Sequence, residues 1–92
     1  MPTARVAIVN ALGMHARAAA RFAHLASRFQ SQVSVAREGR LVDGKSILGL
    51  LLLSAGQGSE LEISADGQDA EDAVAALAAL VRGGFEEEPG ES

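Results

Sequence analysis

The 92 residues, 48% hydrophobic and 22% charged, suffice for one domain around one core and not for two. The absence of cysteine, tryptophan and tyrosine excludes disulfides and thiolate-bound metals and leaves a core of aliphatic residues and alanine. The net charge of −4 divides unevenly: residues 1–46 hold seven of the eight Lys and Arg against Glu38 and Asp43, a sum of +5, while residues 47–92 set Arg82 against ten acids, a sum of −9, and this segregation predicts a basic working face.

No stretch reaches the roughly 18 consecutive apolar residues of a membrane span, and residues 1–9 lack the basic and long apolar regions of a signal peptide, so the expected location is cytoplasmic, with no membrane insertion. Residues 3–9 alternate Ala4, Val6 and Ile8 with Arg5 and Ala7, which predicts a strand with one buried face. Residues 10–14 bring the loop formers Asn10 and Gly13, and alanines begin at Ala16. His15 therefore stands where a loop becomes a helix. Over residues 16–29, Ala18, Phe22, Leu25, Ala26 and Phe29 recur at three- and four-residue spacing, the stripe of a helix packed on a sheet. Arg17, Arg21, His24 and Arg28 form a cationic file on the other face. A solvated surface explains His24 and Arg28 as well as a function does, whereas Arg17 lies within one turn of His15.

Residues 32–36 and 40–42 read as a hairpin that turns at Glu38-Gly39. After Asp43-Gly44-Lys45, Ser46 is placed to cap a short helix over 47–53. Six of those seven residues are apolar, more than one buried face of so short a helix can hold. Some of Ile47, Leu48 and Leu51 are expected to remain exposed as a contact surface, the alternative being deeper burial. Residues 54–59 form a loop, and 60–65 a last strand with Leu61, Ile63 and Ala65 inward. Asp69 is expected to cap a final helix, with Asp72 as the acidic partner of a capping box and Ala73, Val74, Leu77, Leu80 and Val81 as its apolar stripe. Gly83-Gly84 ends that helix, with Phe85 packing back beneath it. Residues 86–92 read as a mobile acidic tail outside a single domain of residues 1–85. The order strand, helix, strand, strand, helix, strand, helix predicts an α+β domain with an antiparallel sheet that carries its helices on one face.

A histidine at a helix mouth faces the unpaired backbone N–H groups of the first turn, which favour an anion, so a neutral imidazole there is a nucleophile beside an anion site. The Arg17 guanidinium can stabilise charge added at that point. No carboxylate pair, Walker-type loop or metal-ligand cluster accompanies it, which favours a carrier over a complete enzyme, with no metal and no cofactor.

The runs Gly13-Met14-His15-Ala16-Arg17-Ala18-Ala19 and Gly44-Lys45-Ser46-Ile47-Leu48-Gly49-Leu50 resemble the HPr family, the histidine-containing phosphocarriers of bacterial sugar phosphotransferase systems, and the likeness extends over residues 3–85. It implies an open-faced sandwich of βαββαβα order, a four-stranded antiparallel sheet with three helices on one face. It implies that His15 accepts a phosphoryl group on Nδ1 from enzyme I, which takes it from phosphoenolpyruvate, and passes it to a IIA component. Arg17 would orient and partly neutralise that group, and Arg17, Ala20, Arg21, His24, Ile47, Leu48 and Leu51 would form the partner surface of a monomer. Ser46 matches a regulatory serine that a dedicated HPr kinase/phosphorylase modifies in some bacteria; as a plain N-cap it needs no such role. Ala18 departs from the family pattern, in which many members have proline. A paralogue of the nitrogen-regulatory branch would share this chemistry and differ in its IIA partner. The rival from another class is a non-catalytic α/β binding module. Nucleic acid is disfavoured as its ligand, since the chain is acidic and puts no aromatic residue on a predicted strand to stack a base.

Overall fold

The computed structural model describes residues 1–86; the acidic tail expected over 86–92 lies outside them from residue 87 onward. Four strands, β1 (Thr3–Ala7), β2 (Gln32–Arg37), β3 (Arg40–Asp43) and β4 (Glu60–Asp66), alternate with three helices, α1 (Ala16–Ala26), α2 (Ile47–Leu52) and α3 (Ala70–Arg82), followed by a 3₁₀ turn at Gly84–Glu86. The sheet order is β1-β4-β2-β3, antiparallel throughout. This is the expected α+β open-faced sandwich.

The alternation that marks each strand decides what the sheet buries. Val6, Val33, Val35, Leu61, Ile63 and Ala65 point into one core with Ala18, Ala19, Phe22, Leu77 and Val81 from the helices. The other face of the sheet is polar, with Arg5 on β1 set 3.4 Å from Glu60 and 3.6 Å from Glu62 of β4. These pairs are exposed and contribute little. Helix α3 packs on β1 and β4, α2 on β3, and α1 against both α2 and α3.

Several expectations are corrected in detail. Helix α1 stops at Ala26, not at residue 29, because the Arg28 and Phe29 N–H groups turn to the Leu25 and Ala26 carbonyls three residues back in place of the α-helical i→i−4 bond; Phe29 then packs on the core from a turn. The first strand ends at Ala7, although Ile8 continues its pairing through Ser59 and Gly58. Asp69 precedes α3 as expected, but its side chain makes no capping bond. A capping box is a local reading, and here a tertiary partner takes the carboxylate: Gln30 and Ser31 donate to it instead. Phe85 is fully buried, as anticipated, with a left-handed backbone (φ 59°) that folds the chain back after Gly83.

Candidate functional site

The loop that delivers His15 is built from its own residues first. Asn10 closes a turn on Gly13, donating from Nδ2 to the Gly13 carbonyl at 2.9 Å while the Gly13 N–H donates back to the Asn10 carbonyl at 3.2 Å. Met14 is buried in the core, so the next residue emerges at a fixed point of the surface. His15 is extended (φ −78°, ψ 179°) and is the N-cap of α1. Its Nδ1 accepts the Arg17 backbone N–H at 3.2 Å, and its carbonyl accepts the Ala19 N–H at 2.8 Å. A ring nitrogen that accepts carries its lone pair, so in the neutral ring the proton sits on Nε2. That lone pair is aimed at the positive end of an 11-residue helix.

Downstream from this mouth, α1 and α2 enclose an open groove of about 550 Å³ lined by Arg17, Ala20, Arg21, Ala23, His24, Ser27, Lys45 and Ile47. The structure thus brings together five of the residues singled out in the sequence, Arg17, Ala20, Arg21, His24 and Ile47, and adds Lys45. Arg28 lies outside the groove and is exposed. Ser46 caps α2, its hydroxyl accepting the Gly49 N–H at 3.0 Å.

Part of the apolar surface of α2 stays exposed, as expected, and it extends to one more leucine. Ile47 and Leu48 are exposed, Leu48 at 70%, but Leu51 packs partly against the core while Leu52 is 56% exposed. At 100° per residue, Leu50 and Leu53 lie on the buried side, and Ile47, Leu48, Leu51 and Leu52 share the other; the signal for Leu52 was present in the period.

The basic half of the chain does not form one cationic face. Arg37 donates to the Leu53 carbonyl at 3.1 Å and Arg40 to the Leu52 carbonyl at 2.9 Å, so the hairpin arginines cap the C-terminus of α2. Lys45 reaches the Phe29 carbonyl at 2.8 Å, and Arg21 donates to the Phe85 carbonyl. Charge segregation in the sequence therefore reflects four backbone ties in the fold. Among the described residues the Arg17 guanidinium has no such tie, and it stands exposed one turn from the His15 ring. No group of three or more potential metal ligands occurs among the described residues.

A family model described as the PTS HPr component phosphorylation site matches residues 2–83. The phosphocarrier protein HPr of Cupriavidus necator is 49% identical over 80 residues, covering 87% of this chain and 90% of that one. The phosphocarrier protein NPr of Shewanella violacea is 41% identical over 83 residues, 90% of this chain and 91% of that one. A crystal structure of HPr from Thermoanaerobacter tengcongensis superposes with a TM-score of 0.91 at 41% identity, covering 96% of this chain and 99% of that one.

Proposed function

The chain belongs to the HPr family of phosphocarriers of the phosphotransferase system, and from that premise we propose that His15 is its phosphoryl acceptor, charged by enzyme I and discharged to a IIA component. A family member carries the group and is not a stand-alone enzyme. The observation that supports His15 is the aim of its Nδ1 lone pair at the Arg17 N–H of the helix mouth. In the transfer the Arg17 N–H gives up that lone pair, which forms the new N–P bond as the donor's bond to phosphorus breaks; the Nε2 proton stays on the ring and the freed N–H is left to donate to the added phosphoryl oxygens. The first-turn N–H groups and the Arg17 guanidinium then face the added negative charge, in place before it arrives. Phosphoryl transfer is chiefly a matter of positioning and charge stabilisation, so two docked proteins can divide it.

The groove and the exposed face of α2 are the docking surface in this reading: Arg17, Ala20, Arg21 and His24 on one wall, Ile47, Leu48 and Leu51 on the other. Ser46 is a regulatory site for an HPr kinase/phosphorylase, since a phosphate there adds about −1.5 to −2 charge beside apolar side chains that partners have to desolvate. A single copy carries every residue named, so a monomer is the working form. The relative named NPr supports a second reading with the same acceptor, a carrier of the nitrogen-regulatory branch; pairing the phosphorylated chain with IIA components of either branch and comparing transfer rates separates the two.

The test is incubation with phosphoenolpyruvate and enzyme I, reading an acid-labile phosphoryl adduct by intact mass. The wild type should gain one such group and His15→Ala none; an undiminished adduct on the mutant would remove His15 from the mechanism.

A further inference from the structure

The loop that leads into His15 is tied to a second loop distant in sequence. The Met14 N–H donates to the Ala55 carbonyl at 2.8 Å, across 41 positions of chain, and two more bonds join the same pair of loops, Gln57 Nε2 to the Val9 carbonyl at 3.0 Å and the Gly58 N–H to the Ile8 carbonyl at 2.8 Å. At Gly13 (φ +66°) the two backbones run so close that a Cβ would lie 2.5 Å from the Ala55 carbonyl oxygen and 2.7 Å from Gly56 Cα. Ordinary contact begins at 3.4 Å, so any side chain there has to part the two loops.

We propose that Ala55, in the turn directly after α2, is the positioning residue for His15, and that residue 13 is glycine because only glycine lets the Ala55 carbonyl reach Met14. The inference rests on His15 being the acceptor. Gly13 and Ala55 touch neither the phosphoryl group nor its donor; they fix Met14, and Met14 fixes where the following ring meets the Arg17 N–H. A reacting atom displaced by about 1 Å can lose about 10²-fold in rate, and parting the loops at Gly13 moves the chain by that order.

Two reasons for glycine are separable here. Asparagine tolerates the left-handed backbone but brings a Cβ, so Gly13→Asn should fail as Gly13→Ala does. Gly56→Ala is the control, because a Cβ at Gly56 meets nothing within 4 Å. In transfer from enzyme I, both Gly13 variants should lose roughly 10- to 100-fold in kcat with KM little changed, since the docking groove is untouched, and Gly56→Ala should match the wild type. The ¹⁵N shifts of the His15 ring, read without any phosphoryl donor, should move in both Gly13 variants, with faster exchange of the Met14 amide. A wild-type Gly13→Ala, or full rescue by Gly13→Asn, would overturn the assignment, the second by making backbone conformation the whole constraint. Should Gly13→Ala fail to fold, an ester in place of the Met14 amide removes the N–H that the Ala55 carbonyl accepts with residue 13 intact; the same losses are expected, and unchanged transfer with an unchanged ring would overturn the proposal. If the wild type takes no phosphoryl group, the acceptor reading falls, while the ring shifts still decide whether Ala55 positions His15.

Discussion

Asp69 and Ser31, 38 positions apart, are joined by two hydrogen bonds: the Asp69 carboxylate accepts both the backbone N–H and the hydroxyl of Ser31, and the Gln30 N–H adds a third at 2.9 Å. These donors, the Ser31 hydroxyl foremost and then Gln30, hold the Asp69 carboxyl below its ordinary value. The folded value lies below that of an unfolded chain, about 3.9. The clamp's contribution is therefore complete above that pH and is lost as pH falls through the folded value. Asp69→Asn should lower stability at pH 7 and flatten its decline below about pH 4. Urea denaturation at pH 7, 4 and 2 checks this, and parallel acid limbs for mutant and wild type would contradict it.

The same clamp makes Gly67 hard to replace. A Cβ there would sit 2.6 Å from the Ser31 hydroxyl, on a backbone of φ +151°. Gly67→Ala should cost about 1–3 kcal/mol, read as a lower urea midpoint with an unchanged slope.

Two leucines of α2 should respond in opposite ways. Leu50 is 0% exposed, and Leu50→Ala should cost about 2–5 kcal/mol. Leu48 is mostly exposed, and Leu48→Glu should change stability by no more than about 0.5 kcal/mol while slowing transfer to and from partners. A Leu48→Glu chain that melts and transfers like the wild type would take α2 out of the docking surface.

Arg17 should matter for rate and little for folding, since among the described residues its guanidinium ties nothing down. Arg17→Ala is expected to slow transfer by about 10²-fold, the order lost with one preorganised donor to a developing charge, at an unchanged Tm. Arg21→Ala should do the reverse in part, lowering Tm through loss of the bond to Phe85.

At Ser46 the cap and the switch can be separated. Ser46→Ala removes the acceptor of the Gly49 N–H and should cost about 0.5–2 kcal/mol. Ser46→Asp keeps a capping oxygen and adds charge beside Ile47 and Leu48, so it should retain stability and slow transfer. Equal rates for the two variants would leave Ser46 as a cap alone.

What the sequence disclosed follows from the range of the forces involved. The alternation of β4 and the stripe of α3 are repeated local signals, and Leu61, Ile63, Ala65, Leu77 and Val81 are all buried as the period requires. His15 was legible as the one histidine at a loop-to-helix junction, and the exposed side of α2 as an excess of leucines. The uses of Asp69, Arg21, Lys45, Arg37 and Arg40 were not legible, because each side chain answers to a backbone group brought near only by the fold. Asp69 shows the cost of a local rule: its spacing to Asp72 suits a capping box, and the N–H groups of Gln30 and Ser31 compete successfully for the carboxylate. The support of Met14 by Ala55 was hidden for the same reason.

The strand order carries a consequence for how the chain is made. Hairpin β2–β3 closes locally through Glu38 and Gly39, both with positive φ, but among the described residues β1 pairs with β4 alone, with Thr3 opposite Ser64. Pairings so distant in sequence form late and slow folding. During synthesis, residues 1–50 are made before either the Ala55 turn or β4 exists to receive them. His15 is thus made early and seated last, and a nascent chain shorter than about two thirds of its length displays the histidine without the frame that aims it.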